Sequence, residues 1–564
     1  MRAPRPILLL AAALLGLAVA GARVASAAAT ITIVNADGAG EGFNDATPAA
    51  PVGGNPGTTI GAQRLYVFQH AANIWGGILT SPIAIQVNAK FDPLTCTATT
   101  GVLGSAGPAS LVRDFPAAPF TGTWYHIALA NKLAGSDLSA SYDINATFNS
   151  SVGGVACLPT GWYYGVDGNE GSQLELLPVV LHELGHGLGF STTTSGSTGN
   201  YNSGFPGTFD HFLFDNSTGL HWNEMSAAQR AASAVSCAGL AFDGIATTGA
   251  APARLGQAPV LTLTSPPGIA GDYDVGSAGF GPPLSGSPVT GPVALVNDGV
   301  GTVTDGCEAL VPGSLSGQIA LIDRGTCGFV VKVKNAQDAG AIGVIVADNV
   351  AGCPPAGMGG TDPTITIPSV RVTLADGNLI KANLGSGVSA TMWVSPTRMA
   401  GADGVGRLRM YAPVPYASGS SVSHFDVSAE PSLLMEPAIS NSLSNDVDLT
   451  VNAFHDIGWF AGVTGIGDAP PRVAVGFAGF SPNPTRSASA AVFDLASGEN
   501  VDLSVYDFLG RLVARVASGH MTAGRHRVEW NGRDSSGRRV ASGIYHCRLR
   551  TASFTDSRTV VVVR

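Results

Sequence analysis

Apolar residues recur at two periods along this chain, and the change from one to the other divides it. Ile60, Leu65, Phe68, Ala71, Ala72 and Trp75 fall on one face of a 3.6-residue repeat, which predicts a helix over 59–79. The runs 83–87 and 142–148 alternate as half-buried strands do. Residues 176–190 read as a second helix, apolar almost all round, with Pro178 acceptable only in its first turn and Gly187 and Gly189 set to stop it. From about Pro259 to Val394 the runs 293–296, 319–322 and 342–346 are short and nearly continuous, as in strands covered on both faces, and 329–341 reads as a helix between the last two. After a proline-rich join at 468–471, Val501, Leu503 and Val505 alternate before a turn at 507–510, and Asn531-Gly532 is a hairpin-type dipeptide.

Composition narrows the class. A length of 564 residues predicts about three or four domains, and 74 glycines with 35 prolines favour turn-rich, β-rich ones. The net charge of −10 is spread out without a basic stripe, which excludes nucleic acid as an expected partner. Arg2 and Arg5 precede the apolar run Ile7 to Ala20, and Ala25-Ser26-Ala27 follows as a cleavage site, so 1–27 reads as a signal peptide and the protein as secreted. Seven cysteines agree with an oxidising compartment. Cys96, Cys157 and Cys237 form one group and Cys307, Cys327 and Cys353 another; connectivity stays open, and Cys547 is expected to be a buried free thiol.

The chemistry is concentrated in His182-Glu183-Leu184-Gly185-His186. On a helix, positions i and i+4 share a face, so both imidazoles can grip one Zn2+ with Glu183 beside them as general base. Catalytic zinc takes three protein ligands and keeps one position open. Asp210, His211, Glu224 and His424 are the candidates for the third, and spacing by itself leaves the choice open. Asp167-Gly-Asn-Glu170 offers Ca2+-type oxygen ligands, although a polar turn is the commoner meaning of such a run.

Three resemblances extend this reading. His182-Glu-x-x-His186-x-x-Gly189, a long insertion, Ser423-His424 and then Leu434-Met435-Glu-Pro437 resemble the leishmanolysin-like branch of the metzincin metalloproteases. That likeness implies His424 as third ligand, Gly189 as the turn after the zinc helix, Met435 as a Met-turn floor, and a last helix over Leu443–Trp459. Position 192, where other metzincins carry the third histidine, is Thr. Gly317 to Gly325, Phe329, Lys332, Asn335-Ala336 and Ala339 to Ala341 resemble a protease-associated (PA) domain. Ser481 to Pro484, Tyr506-Asp507, Gly510-Arg511, Trp530 to Arg533, Gly537 and Ser542 to Tyr545 resemble the flagellar-hook-assembly-type Ig domain, close to type IX sorting domains, which implies export or cell-surface machinery as a partner.

Together these imply a multidomain chain. An α+β metzincin-like catalytic domain (28–255 and 397–462) is split by an α/β PA domain (256–396) and followed by an all-β Ig-like sandwich (463–564). The implied activity is a secreted zinc endopeptidase acting on proteins or peptides, with the strand 142–148 as a sheet edge for substrate. A catalytically silent surface-binding protein and a zinc aminopeptidase are the alternatives.

Overall fold

The computed structural model describes residues 28–460, apart from 440–442 and 444, and most of 476–563. The signal-like segment 1–27 and the join at 468–471 lie outside the described residues.

The histidine-bearing region is built from β1 (Ile31–Asn35), α1 (Ile60–Ile78), β2 (Ile85–Asp92), β3 (Gly104–Pro108), β4 (Ile144–Asn149) and α2 (Leu176–Leu188). Thr59 caps α1, its hydroxyl accepting the Ala62 N–H at 3.2 Å. The sheet runs β1-β2-β4-β3, with the first three strands parallel and β3 antiparallel to β4. This corrects one expectation: the strand foreseen at the sheet edge is β4, in the interior, and the edge is β3. Gly104-Ser-Ala-Gly-Pro108 carries no apolar alternation; it is a strand because its backbone pairs with β4, so hydrophobic period could not find it.

Helix α2 is apolar all round because it is covered all round. The Trp75 indole of α1 donates to the Leu181 carbonyl at 3.0 Å, and the Trp459 indole donates to the Leu188 carbonyl at 2.8 Å. Gly187 lies against Ile144, where a Cβ would come within 2.5 Å of the isoleucine side chain. The chain turns at Gly189, whose φ of +126° suits glycine. One hydrophobic core draws on Ala29 to Leu255 and again on Ala402 to Trp459.

Between these stretches lies a second α/β unit. Its sheet comprises β5 (Gln257–Ser265), β6 (Gly271–Asp274), β7 (Gly276–Ser277), β8 (Val289–Leu295), β9 (Ile319–Asp323), β10 (Gly343–Ala347), β11 (Ser369–Val372) and β12 (Ser389–Met399), in the order β6-β5-β12-β8-β9-β10-β11-β7. Helix α3 (Phe329–Asp338) connects the parallel strands β9 and β10, and α4 (Leu374–Asn383) leads from β11 into β12, which pairs antiparallel with β5 and β8. The first and last long strands pair antiparallel, Gln257 opposite Met399, so the chain leaves and rejoins the first core at neighbouring points. A folded insertion with adjacent ends adds little closure entropy, however long it is.

The last helix of the first core, α5 (Thr450–Ile457), is shorter than the expected 443–459. Asn445 and Asp448 have φ of +60° and +36°, outside the right-handed helical region, so the helix starts only after them. The C-terminal unit is all-β, with three strands (476–481, 489–495, 524–530) in one sheet and four (499–506, 512–521, 543–550, 555–562) in another. Asn531-Gly532 does not close a hairpin, a second correction: the strands on either side belong to different sheets, and the tight turn that follows is at Asp534–Gly537.

The disulfides are Cys96–Cys157, Cys307–Cys327 and Cys237–Cys353, the last joining the two sequence groups, while Cys547 is free and buried. No helix among the described residues is long and apolar enough to cross a membrane.

Candidate metal centre

Helix α2 presents His182 and His186 one turn apart, and the loop 420–426 brings His424 against them. The three Nε2 atoms form a triangle with edges of 3.1, 3.2 and 3.2 Å. Each Nδ1 faces a backbone carbonyl: His182 that of Leu434 at 2.7 Å, His186 that of Phe190 at 2.8 Å, and His424 that of Ser420 at 2.8 Å. A carbonyl only accepts, so each Nδ1 carries the proton and every Nε2 points a lone pair at the same spot. Three converging lone pairs repel unless a cation lies between them. Zinc–imidazole bonds of about 2.0–2.1 Å in a tetrahedral set hold the nitrogens about 3.3 Å apart, so this donor triangle fits such an ion.

Burial reinforces neutrality. It pushes the His182 imidazole down to about 3 and that of His186 to about 4, and holds His424 well below its ordinary value; the adjacent imidazoles lower His182 and His424 further. Burial lifts the Glu183 carboxyl to about 8, while the Ala106 N–H of β3, donating to Oε2 at 2.8 Å, acts the other way. Gly104 lets β3 approach this closely, because a Cβ there would stand 3.0 Å from Glu183 Cγ.

Met435 is fully buried beneath α2, against Gly185, where a Cβ would come within 2.8 Å of its sulfur. Its carbonyl accepts the Phe425 N–H at 2.8 Å, next to His424. Residues 434 and 435 thus steady both halves of the triad through their main chain, which leaves no signature in side-chain identity.

The other candidate ligands are employed elsewhere. Asp210 is buried and accepts from the hydroxyls of Thr192 and Thr194 and from the Gly207 N–H at 2.8 Å, bracing the loop beyond Gly189. His211 stacks on Phe120 with ring centroids 4.0 Å apart, and Glu224 accepts from the His221 N–H at 2.8 Å. Asp167 accepts from the Tyr163 hydroxyl at 2.5 Å within a turn, and no calcium-type cluster forms there among the described residues.

Two family models match the chain. Residues 289–380 match the PA domain and residues 485–553 the FlgD Ig-like domain. Vacuolar-sorting receptor 3 of Arabidopsis thaliana is 34% identical over 140 residues, which is 22% of each chain. The probable leucine aminopeptidase 2 of Aspergillus fumigatus is 33% identical over 125 residues, 22% of this chain and 23% of that one. The chain therefore spans only about a fifth of the length of these curated relatives. Among solved structures, the zinc aminopeptidase BSAP of Bacillus subtilis matches at 23% identity over 26% of this chain and 36% of its own, with a TM-score of 0.19. PorZ, a surface component of the type IX secretion system of Porphyromonas gingivalis, matches at 24% identity over 15% of this chain and 11% of its own, with a TM-score of 0.12. His182, Glu183, His186, His424 and Met435 all lie outside the two segments matched by family models. The chain is a multidomain protein that contains a PA domain and a FlgD-type Ig-like domain beside a mixed α/β region.

Proposed function

We infer that this protein is a zinc-dependent peptidase whose metal is held by His182, His186 and His424. The observation that carries the reading is the triangle of inward-facing Nε2 atoms with all three Nδ1 protons committed to carbonyls. A zinc ion there would polarise a peptide carbonyl and make a water acidic enough to attack at neutral pH. Glu183 would receive the attacking water's proton at Oε1, since Oε2 is engaged with the Ala106 N–H, and return it to the leaving amine, the cation's charge keeping its carboxylate ionised against the burial that otherwise raises it. Strand β3 ends the sheet, and an extended peptide added along it would pass Glu183, exchanging with the carboxylate for the Ala106 N–H. Gly189 and Met435 act by shaping the ground under the histidines.

Where the peptide is cut has two readings. The names of the relatives favour an aminopeptidase, because leucine and zinc aminopeptidases recur among them. The position of Glu183 at an edge strand and the three-histidine cluster, the one of its kind among the described residues, favour internal cleavage of the metzincin type. A peptide blocked at its amino terminus separates them: an endopeptidase cleaves it and an aminopeptidase does not. Zinc content and cleavage of blocked and free peptides, measured for the wild type and Glu183→Gln, test the whole proposal. Glu183→Gln should retain stoichiometric zinc and lose at least about 100-fold in turnover; a wild type without zinc would sink it. The C-terminal domain suits export or retention at the cell surface.

A further inference from the structure

The chain from Arg409 to Val414 continues a two-residue strand at Leu408–Arg409 as a series of single bridges, with different partners on its two sides. On one edge Met410 N–H donates to the Leu240 carbonyl at 2.9 Å and Cys237 N–H to the Ala412 carbonyl at 2.8 Å. Val414 exchanges both hydrogen bonds with Cys353, at 3.2 and 3.3 Å. Peptide direction alternates along a strand, so the residues between face the other way. Tyr411 N–H donates to the His424 carbonyl at 2.8 Å, Val422 N–H returns to the Tyr411 carbonyl at 2.8 Å, and Asp426 N–H donates to the Arg409 carbonyl at 2.9 Å. Cys237 and Cys353, which flank the first edge, are joined to each other. Cys237 belongs to the histidine-bearing region, whereas Cys353 lies within the segment matched as a PA domain.

We propose that the Cys237–Cys353 disulfide is a positioning element for the third metal ligand, through which the inserted domain sets the place of His424. His182 and His186 are held by their own helix and need no such help. His424 sits on a loop, and that loop is hydrogen-bonded to the segment 409–414, whose far side is secured by the crosslink. The bond gathers three elements, 237–240, 353 and 410–414, at the root of the loop. Cys96–Cys157 and Cys307–Cys327 each close a loop within one unit and have no such reach. This rests on the metal reading above for its consequence, though the placement of the loop is a property of the fold alone.

Cys237→Ser/Cys353→Ser in the full-length chain tests it with two readouts. Backbone hydrogen exchange across 410–425 should accelerate while 176–188 stays protected, a measurement that needs no metal. Zinc affinity should fall about 10-fold or more, in the range typical of losing an outer partner of a ligand. In a His424→Ala background the same pair should cost no further affinity, which separates positioning from general loosening. Cys307→Ser/Cys327→Ser should leave both readouts unchanged. If the serine pair fails to fold, Cys237→Ala/Cys353→Val is read in the same way. Unchanged exchange in 410–425, or an equal loss of affinity with and without His424, would overturn the proposal. A wild type that binds no zinc, yet shows the exchange effect, would refute the metal reading and leave the clamp standing.

Discussion

The Leu434 carbonyl accepts the Nδ1–H of His182 at 2.7 Å, across 252 residues of sequence. The same residue's N–H is taken by Asp448 Oδ2, and Asp448 Oδ1 accepts the Thr450 N–H and hydroxyl, each at 3.0 Å. A carboxylate at the start of α5 thereby sets the orientation of an imidazole on α2. Asp448→Ala orphans buried N–H groups, so it should destabilise the histidine-bearing core by about 1–3 kcal/mol. It should also weaken zinc binding about 10-fold. Denaturant unfolding and metal competition measure the two effects.

Gly185 is inside a helix, where alanine is ordinarily better by about 1 kcal/mol. Here the order reverses, because a Cβ would lie 2.8 Å from the Met435 sulfur. Gly185→Ala should cost about 1–3 kcal/mol of overpacking, and Met435→Ala in the same chain should recover part of it. Additive losses in the double variant would refute the contact as the cause; thermal unfolding of the four forms decides.

Buried titrating groups on either side of the centre pull stability in opposite directions with pH. The imidazoles of His182 and His186 are lowered by burial to about 3 and 4, against 6.5 when unfolded. Without metal, the unfolded chain then binds protons that the folded one refuses, and stability is lost as pH falls below 6.5. Glu436 is the converse case: burial raises it to about 8 from 4.5, with Asp426 and Asp448 adding to the shift. The folded state keeps a proton that the unfolded chain releases, so stability is lost as pH rises from 4.5 through 8. Relative to the wild type, Glu436→Gln should gain stability across that window and His424→Ala should gain it below 6.5. Denaturant midpoints of metal-free protein, taken from pH 4.5 to 8.5, check both signs.

Cys547 is buried in the core of the C-terminal sandwich, and burial pushes its thiol up to about 12. It should be inert to an aromatic disulfide reagent in the native protein and titrate as one thiol once denatured. Prompt reaction in the folded state would show that this core opens.

Much of the centre is legible in the sequence. His182, Glu183 and His186 declare themselves because helical geometry converts a spacing of four into one face, and Gly189 because only glycine turns so readily there. His424 and Met435 came from resemblance, since no local rule links residues so far apart. Strand β3 carries no apolar signal because a Gly-rich edge strand owes its form to its neighbour, and α5 is shorter than its apolar pattern because the left-handed Asn445 and Asp448 leave no mark in that pattern.

The sequence by itself determined the pair of histidines on one face of a helix, the glutamate beside them, the change of texture that marks the insertion, and the buried thiol in the last domain. Those features depend on local periodicity, which a linear chain displays directly. The tertiary structure alone decided which carbonyls fix the tautomers of the three histidines, which strand borders Glu183, and that Cys237 pairs with Cys353. Each of these is a meeting of backbone groups remote in sequence, and backbone groups are the same at every position.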